Sequence, residues 1–438
     1  MKLNYKRTFL VGLGFMAICA FWQMYDHLIP LILKYSFGIE DGVSGWVMAA
    51  DNVLALFMLP LFGALSDRTH TRLGRRMPFI VVGSMGAALA MMLIPISSQI
   101  RSLPLFVVGL GLALFFMATY RSPAVALMPD VTVKPLRSKA NAVINLMGSV
   151  GGMMILGLTP ILLPKVQNSQ AEYLPNYVPL FLACMVIMLG STVILLLFVK
   201  EPKLVEQMQA DAKAWGIADE PEQVNEKGQL VSLPMEAPVK RSMGFLLASV
   251  ALWFMGYNAV TTAFSKYCVE RFGLGAGDSA MVLMIATAAA TISYIPVGNL
   301  ATKIGRKKCI MGGVVLLAVA FGLGSTFSTF SPLLYVLFVA AGIAWAAINV
   351  NSYPMVVEMA RGANVGKFTG YYYTASMSAQ ILTPILSGYL LQYAGYAWLF
   401  PYGALFVGLA FVTMLMVRHG DAKPLPPASK LEAFDAMD

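Results

Sequence analysis

Gly63-Ala64-Leu65-Ser66-Asp67-Arg68, followed by Arg72-Leu73-Gly74-Arg75-Arg76, is a short charged turn between apolar runs, and Gly298-Asn299-Leu300-Ala301-Thr302-Lys303-Ile304-Gly305-Arg306-Lys307 repeats its pattern late in the chain. Asp130 follows Gly74 by 56 residues and Glu358 follows Gly305 by 53, each closing another apolar run. Matched charges at matched spacing read as duplication, with two bundles related by an axis along the membrane normal.

Outward from these turns the chain is a series of apolar runs of about 20 residues, the length that crosses a bilayer. Six lie near Thr8 to Leu33, Gly42 to Leu65, Met77 to Ile96, Pro104 to Met128, Ala140 to Leu163 and Val178 to Val199. Six more lie near Met243 to Ser265, Ser279 to Ala301, Cys309 to Phe327, Pro332 to Val357, Phe368 to Tyr393 and Ala397 to Val417. With 58% hydrophobic and 12% charged residues over 438 positions, a water-soluble globular protein is excluded. The spans must be helices, because no open structure of another kind satisfies its backbone in lipid. The expected fold is an all-α integral membrane protein of twelve helices in two six-helix bundles: 1–199, a polar linker over 200–242, 243–419, and a polar tail over 420–438. A short surface helix is expected around Val205 to Trp215, and disorder beyond Gly420.

Of 31 Lys and Arg, 25 fall in the two termini and the even-numbered connections, five (Lys34, Arg101, Lys165, Lys266, Arg271) on the opposite side, and Arg121 inside a span. That bias places both termini in the cytoplasm, in the inner membrane of a cell. The net charge of +9 is dispersed over short turns, so it serves topology and lipid headgroups rather than nucleic acid. Lys2, Lys6 and Arg7 precede an apolar run that continues to Leu33 without a cleavage site, which reads as a first span. Cys19, Cys184, Cys268 and Cys309 are far apart and read as packing residues. No His pair, phosphate loop or nucleotide-binding domain is present, so catalysis, a metal and ATP-driven transport are not expected.

The turn has a physical logic. Gly63 lets two helices approach; Asp67 suits the positive end of a neighbouring helix; Arg68, Arg75 and Arg76 can pair with Asp130, as Arg306 can with Glu358. Such charged turns, with Gly74, are expected to latch and release the cytoplasmic side, although the same charges also serve topology. At this motif the chain resembles the major facilitator superfamily over all twelve spans. Ser66 to Phe79, Ser122 to Asp130, Lys139-Ala140-Asn141-Ala142 and Val199-Lys200-Glu201-Pro202 are similar to its glycoside-pentoside-hexuronide group, with the sucrose-proton symporters nearest. The resemblance implies sugar or glycoside uptake driven by an ion gradient. Melibiose-type carriers of that group hold sodium with two acids on the second helix, where this chain has Ala55 and Leu59, and Arg121 stands where they have a sugar-binding carboxylate. Protons are therefore favoured over sodium as the coupling ion, and no cofactor is expected.

Charged side chains at membrane depth are costly and need a reason. Asp26 and Asp51 each fall about 12 to 14 Å in from the outer ends of their spans, at ~1.5 Å per residue. Two carboxylates in a low dielectric favour holding one proton between them, which suits proton transfer. Arg121 can bind sugar hydroxyls, fix the charge of a carboxylate or take an anion; a structural ion pair explains these groups as well. His27, one residue past Asp26, reads as packing or headgroup contact. Polar stripes at helical spacing are Cys19, Trp22, Gln23, Asp26; Asn141, Asn145, Ser149; Trp253, Tyr257, Thr261; Trp345, Asn349, Ser352; and Tyr373, Ser376, Gln380, Thr383, expected to line one cavity. The reading is a monomer-competent, proton-coupled importer of a glycoside or oligosaccharide, with sugar and bilayer as partners. An exporter of amphiphiles or a lysolipid carrier is the rival within transport, though its site calls for Met, Phe and Leu rather than Asn, Gln and Tyr. A sugar sensor without turnover is the rival from another class.

Overall fold

The computed structural model describes residues 3–133, 136–163, 176–215, 236–359 and 365–421. The middle of the expected linker (216–235), the tail from 422, and the side chains of Lys139, Ala142 and Thr302 lie outside the described residues. Helices α1 (Tyr5–Leu31), α2 (Asp41–Arg68), α3 (Met77–Ala90), α4 (Leu93–Gln99), α5 (Leu103–Asp130), α6 (Arg137–Leu162) and α7 (Val178–Phe198) come first. A surface helix α8 (Glu201–Ala214) precedes α9 (Ala237–Phe272), α10 (Ala276–Ile304), α11 (Arg306–Gly324), α12 (Leu333–Met359), α13 (Val365–Ala394) and α14 (Leu399–Leu415). Counting α3 with α4, and leaving out α8, these are twelve membrane helices. Eleven meet both length and hydropathy for a span among the described residues. The twelfth, α13, has the length, but its Tyr, Ser, Thr and Gln keep it short of the hydropathy of a span.

Several ends depart from the hydropathy pattern for local reasons. Pro95 has no N–H for the Met91 carbonyl, and the third span breaks at Met91–Met92 into α3 and α4. The first span closes in a π-helical turn over Ile32–Ser36. The seventh runs on to Phe272 instead of stopping at Ser265, so Lys266, expected in an outer connection, lies inside α9 and is buried.

The chain forms two compact units, Met1–Gly216 with Thr262–Met284, and Ile217–Thr261 with Ile285–Asp438. In the first, α1 packs on α6 and α7 and α3 packs on α5; in the second, α11 packs on α12 and α14. Small residues permit these approaches: Gly151 of α6 faces the Met16 carbonyl and Gly342 of α12 faces the Ala286 carbonyl, where a Cβ would collide with backbone.

Candidate functional site

In the first unit, the stripe Cys19, Trp22, Gln23, Asp26 is the less buried face of this stretch of α1, while Phe21, Met24, Tyr25 and Leu28 fill the core. Asp26 is exposed, and Trp22 and Gln23 are half-buried. Gln23 lies against Gly152 of α6, and Asn141 and Asn145, one turn apart on α6, are half-buried. Asp51 on α2 accepts a hydrogen bond from Asn52 Nδ2 at 2.9 Å. Arg121 on α5 rests over the Trp22 ring, 5.6 Å from its centroid. That contact supports a cation that has no carboxylate directly bound. Asp26 lies within electrostatic reach of both Asp51 and Arg121, and Asp51 of Arg121. No ion pair joins these three among the described residues. The expected alternative, a carboxylate locked to Arg121, is thus not what forms. Two buried donors beside them, Trp22 Nε1 and Tyr25 Oη, have no protein partner among the described residues.

In the second unit, Tyr257 stacks on Trp345 at 3.8 Å between centroids and 7° between planes, with Phe254 edge-on at 5.2 Å. Asn349, one turn beyond Trp345 on α12, shares a hydrogen bond with Tyr294 of α10. Tyr294 was missed in the sequence, where it is a lone aromatic among small residues. On α13, Tyr373 is exposed, Gln380 is half-buried, and Ser352 of α12 meets the Tyr372 hydroxyl at 3.0 Å. Trp253, placed with Tyr257 and Thr261 by spacing, is instead fully enclosed in the core.

Each charged turn makes its own set of ion pairs, a candidate latch. In the first, Arg76 donates to Asp130 from Nε at 2.7 Å, pairs with Asp67, and reaches the Gly63 carbonyl at 3.4 Å, while Arg75 pairs with Asp130 at 2.9 Å. These acids raise the Arg76 guanidinium further above its ordinary range, against the opposing effect of burial. A Cβ at Gly63 would meet Ser122 of α5, as the close approach requires. Asp67 binds this side chain rather than a helix end, and Arg68 is exposed with no ion pair among the described residues. The end of α3 belongs to Glu201, whose buried carboxylate accepts from the backbone N–H groups of Arg75, Arg76 and Met77 at 2.9 to 3.0 Å. In the second latch Arg306 pairs with Glu358 at 2.5 Å, and Asp421 accepts from Lys307 N at 2.7 Å. Neither Glu201 nor Asp421 stood out as a cap in the sequence.

At the end of α2 away from its charged turn, Asp41 accepts from Lys266 at 2.7 Å and from Lys34 at 3.1 Å, and Glu270 pairs with Lys34 at 3.3 Å. His27 is buried against the Ala276 carbonyl at 2.9 Å, a packing role rather than contact with a headgroup. Two cations facing two anions permit burial here, and explain why α9 continues through Lys266.

A family model described as Major Facilitator Superfamily matches residues 11–295 and 278–435. Sucrose transport protein SUC3 of Arabidopsis thaliana is 27% identical over 152 residues, 30% of this chain and 25% of that protein. Proton-associated sugar transporter A of Homo sapiens is 37% identical over 68 residues, 16% of this chain and 9% of that protein. The matched segments thus span no more than about a quarter of these relatives. The nucleoside transporter NupG has the same fold, with a TM-score of 0.67 at 15% identity over 94% of this chain and all of the other.

Proposed function

The chain belongs to the Major Facilitator Superfamily, and on that premise we propose that it imports a glycoside or an oligosaccharide in symport with protons. The observation carrying this reading is Asp26, an accessible carboxylate at membrane depth that feels the charges of Asp51 and Arg121 and is bonded to neither. Two carboxylates against one guanidinium leave one negative charge, which one proton cancels. A net charge in a low dielectric opposes reorientation, so the carrier moves when protonated and loaded. Trp22 Nε1, Gln23, Asn141 and Asn145 offer hydrogen bonds to sugar hydroxyls in the first unit. In the second, Tyr257 and Trp345 offer a flat apolar face, with Asn349, Tyr373 and Gln380 as polar contacts. Relatives named for sucrose and for proton-associated sugar transport support the same chemistry.

In this reading the chain works as a monomer by alternating access in the inner membrane, with cytoplasmic termini and with the Arg76–Asp130 and Arg306–Glu358 latches on the cytoplasmic side. Proteoliposomes with an acid exterior, tested on a glycoside panel with and without sodium, check it. The wild type accumulates one class of glycoside uphill without sodium. Asp26→Asn abolishes uphill accumulation while retaining counterflow exchange; uphill uptake by that variant at the wild-type level removes the proposed coupling.

A further inference from the structure

A pocket lies far along the chain from the residues above. The ends of α9 and α14 border a half-open pocket of about 650 Å³, lined by Arg241, Phe245, Leu415, Met416, Arg418 and His419 among others. Among the described residues no acid lines it and neither Arg241 nor Arg418 makes an ion pair. Arg241 lies over the Phe245 ring at 5.7 Å, which leaves the guanidinium edge available. Buried Ser242 organises the opposite wall: its Oγ accepts from Arg418 N at 3.1 Å and meets His419 Nδ1 at 2.8 Å. With the hydroxyl proton given to Nδ1, the other ring nitrogen carries an N–H and is a donor. Asp421, the nearby acid, is committed to the Lys307 N–H.

We propose that this cavity binds the phosphate headgroup of an anionic phospholipid, with its acyl chains along α14. Three observations select that class. Two guanidinium groups and an imidazole N–H line one pocket with no acid beside them among the described residues, which calls for an anion. The volume is that of a pocket for a sizeable organic group rather than a lone ion. The apolar half of the lining continues into the exposed apolar surface of α14, where Leu405, Leu409, Val412, Leu415 and Met416 are all uncovered. Basic groups at the cytoplasmic ends of spans lie at the height of anionic headgroups.

The test is native mass spectrometry of the full-length carrier in detergent, titrated with phosphatidylglycerol or with phosphatidylcholine. Phosphatidylglycerol is expected to bind and phosphatidylcholine to bind more weakly. At about one kcal/mol per basic residue near a charged surface, Arg241→Gln with Arg418→Gln weakens phosphatidylglycerol binding roughly 30-fold. Arg241→Lys with Arg418→Lys retains most of it, and Lys203→Gln with Lys213→Gln, an equal loss of charge on α8, leaves it unchanged. Met416→Glu, at an exposed position that does not threaten folding, also expels the lipid. Unchanged binding in the double glutamine variant overturns the proposal. So does displacement of the lipid by millimolar inorganic phosphate, which marks the cavity as a site for a soluble anion.

Discussion

The two charged turns descend from one pattern, yet the first is enclosed and the second is open. Gly74 and Gly305 both take the left-handed backbone, φ +116° and +95°, and both are followed by the basic residue that latches. In each half an acid placed just after the last helix of that half reaches back to cap the helix beyond the glycine: Glu201 for α3, Asp421 for α11. The first acid is 1% exposed and serves three N–H groups, and its Arg76 is 5% exposed. In the second, Arg306 and Glu358 are 18% and 28% exposed, and a single N–H is capped. A repeated motif therefore preserves geometry while its energetics diverge, because burial sets what each hydrogen bond contributes.

The comparison breaks first at the caps. Glu201→Ala leaves three backbone donors in an enclosed site without an acceptor. At 1 to 3 kcal/mol for each buried unsatisfied group, partly relieved by water, the expected loss is about 4 kcal/mol. Asp421→Ala exposes one N–H to solvent and is expected to lose about 1 kcal/mol, as an ordinary cap does. Thermal unfolding of the two variants in the same detergent compares them directly. Equal shifts in midpoint contradict the asymmetry.

The latches themselves differ in the same direction by less. Asp130→Asn removes the charge shared by Arg75 and Arg76, with Asp67 too exposed to compensate, and is expected to lower stability by about 2 to 3 kcal/mol. Glu358→Gln weakens a pair open to water and is expected to cost under about 1 kcal/mol. The second shift shrinks further in high salt and the first does not, which unfolding at two ionic strengths reads. A larger effect at Glu358 reverses the ranking.

Much of this was legible in the chain because charges are rare against so apolar a background. The pairing of Arg76 with Asp130 and of Arg306 with Glu358 follows from a repeat in which the only regular charges must find one another. The stripe on α1 was equally plain, since Asp26 and Gln23 share a helical face with Cys19 and Trp22 that apolar neighbours cannot cover. What was hidden depends on tertiary contact. Glu201 reads in sequence as one more polar residue after a span, and its importance comes from where α7 ends relative to α3. Lys266 reads as an outer loop residue until Asp41 supplies the anion that permits its burial. Trp253 and Tyr257 are one turn apart, and spacing alone does not say which of them faces the core and which the polar side.

The two glycines sharpen the comparison most. An alanine at Gly305 carries the backbone strain of a left-handed residue, about 1 to 2 kcal/mol, and meets only the tip of Asp421, 3.1 Å from its Cβ. At Gly74 the same Cβ falls on the Glu201 side chain itself, so Gly74→Ala combines that strain with displacement of the cap. In a Glu201→Ala background the collision is gone, and Gly74→Ala should then cost no more than Gly305→Ala does alone. A double-mutant cycle measures the difference. If Gly74→Ala costs as much with Glu201 absent as with it present, the glycine is required by its backbone alone, and the close seat of Glu201 against it contributes nothing to the enclosure of the first turn.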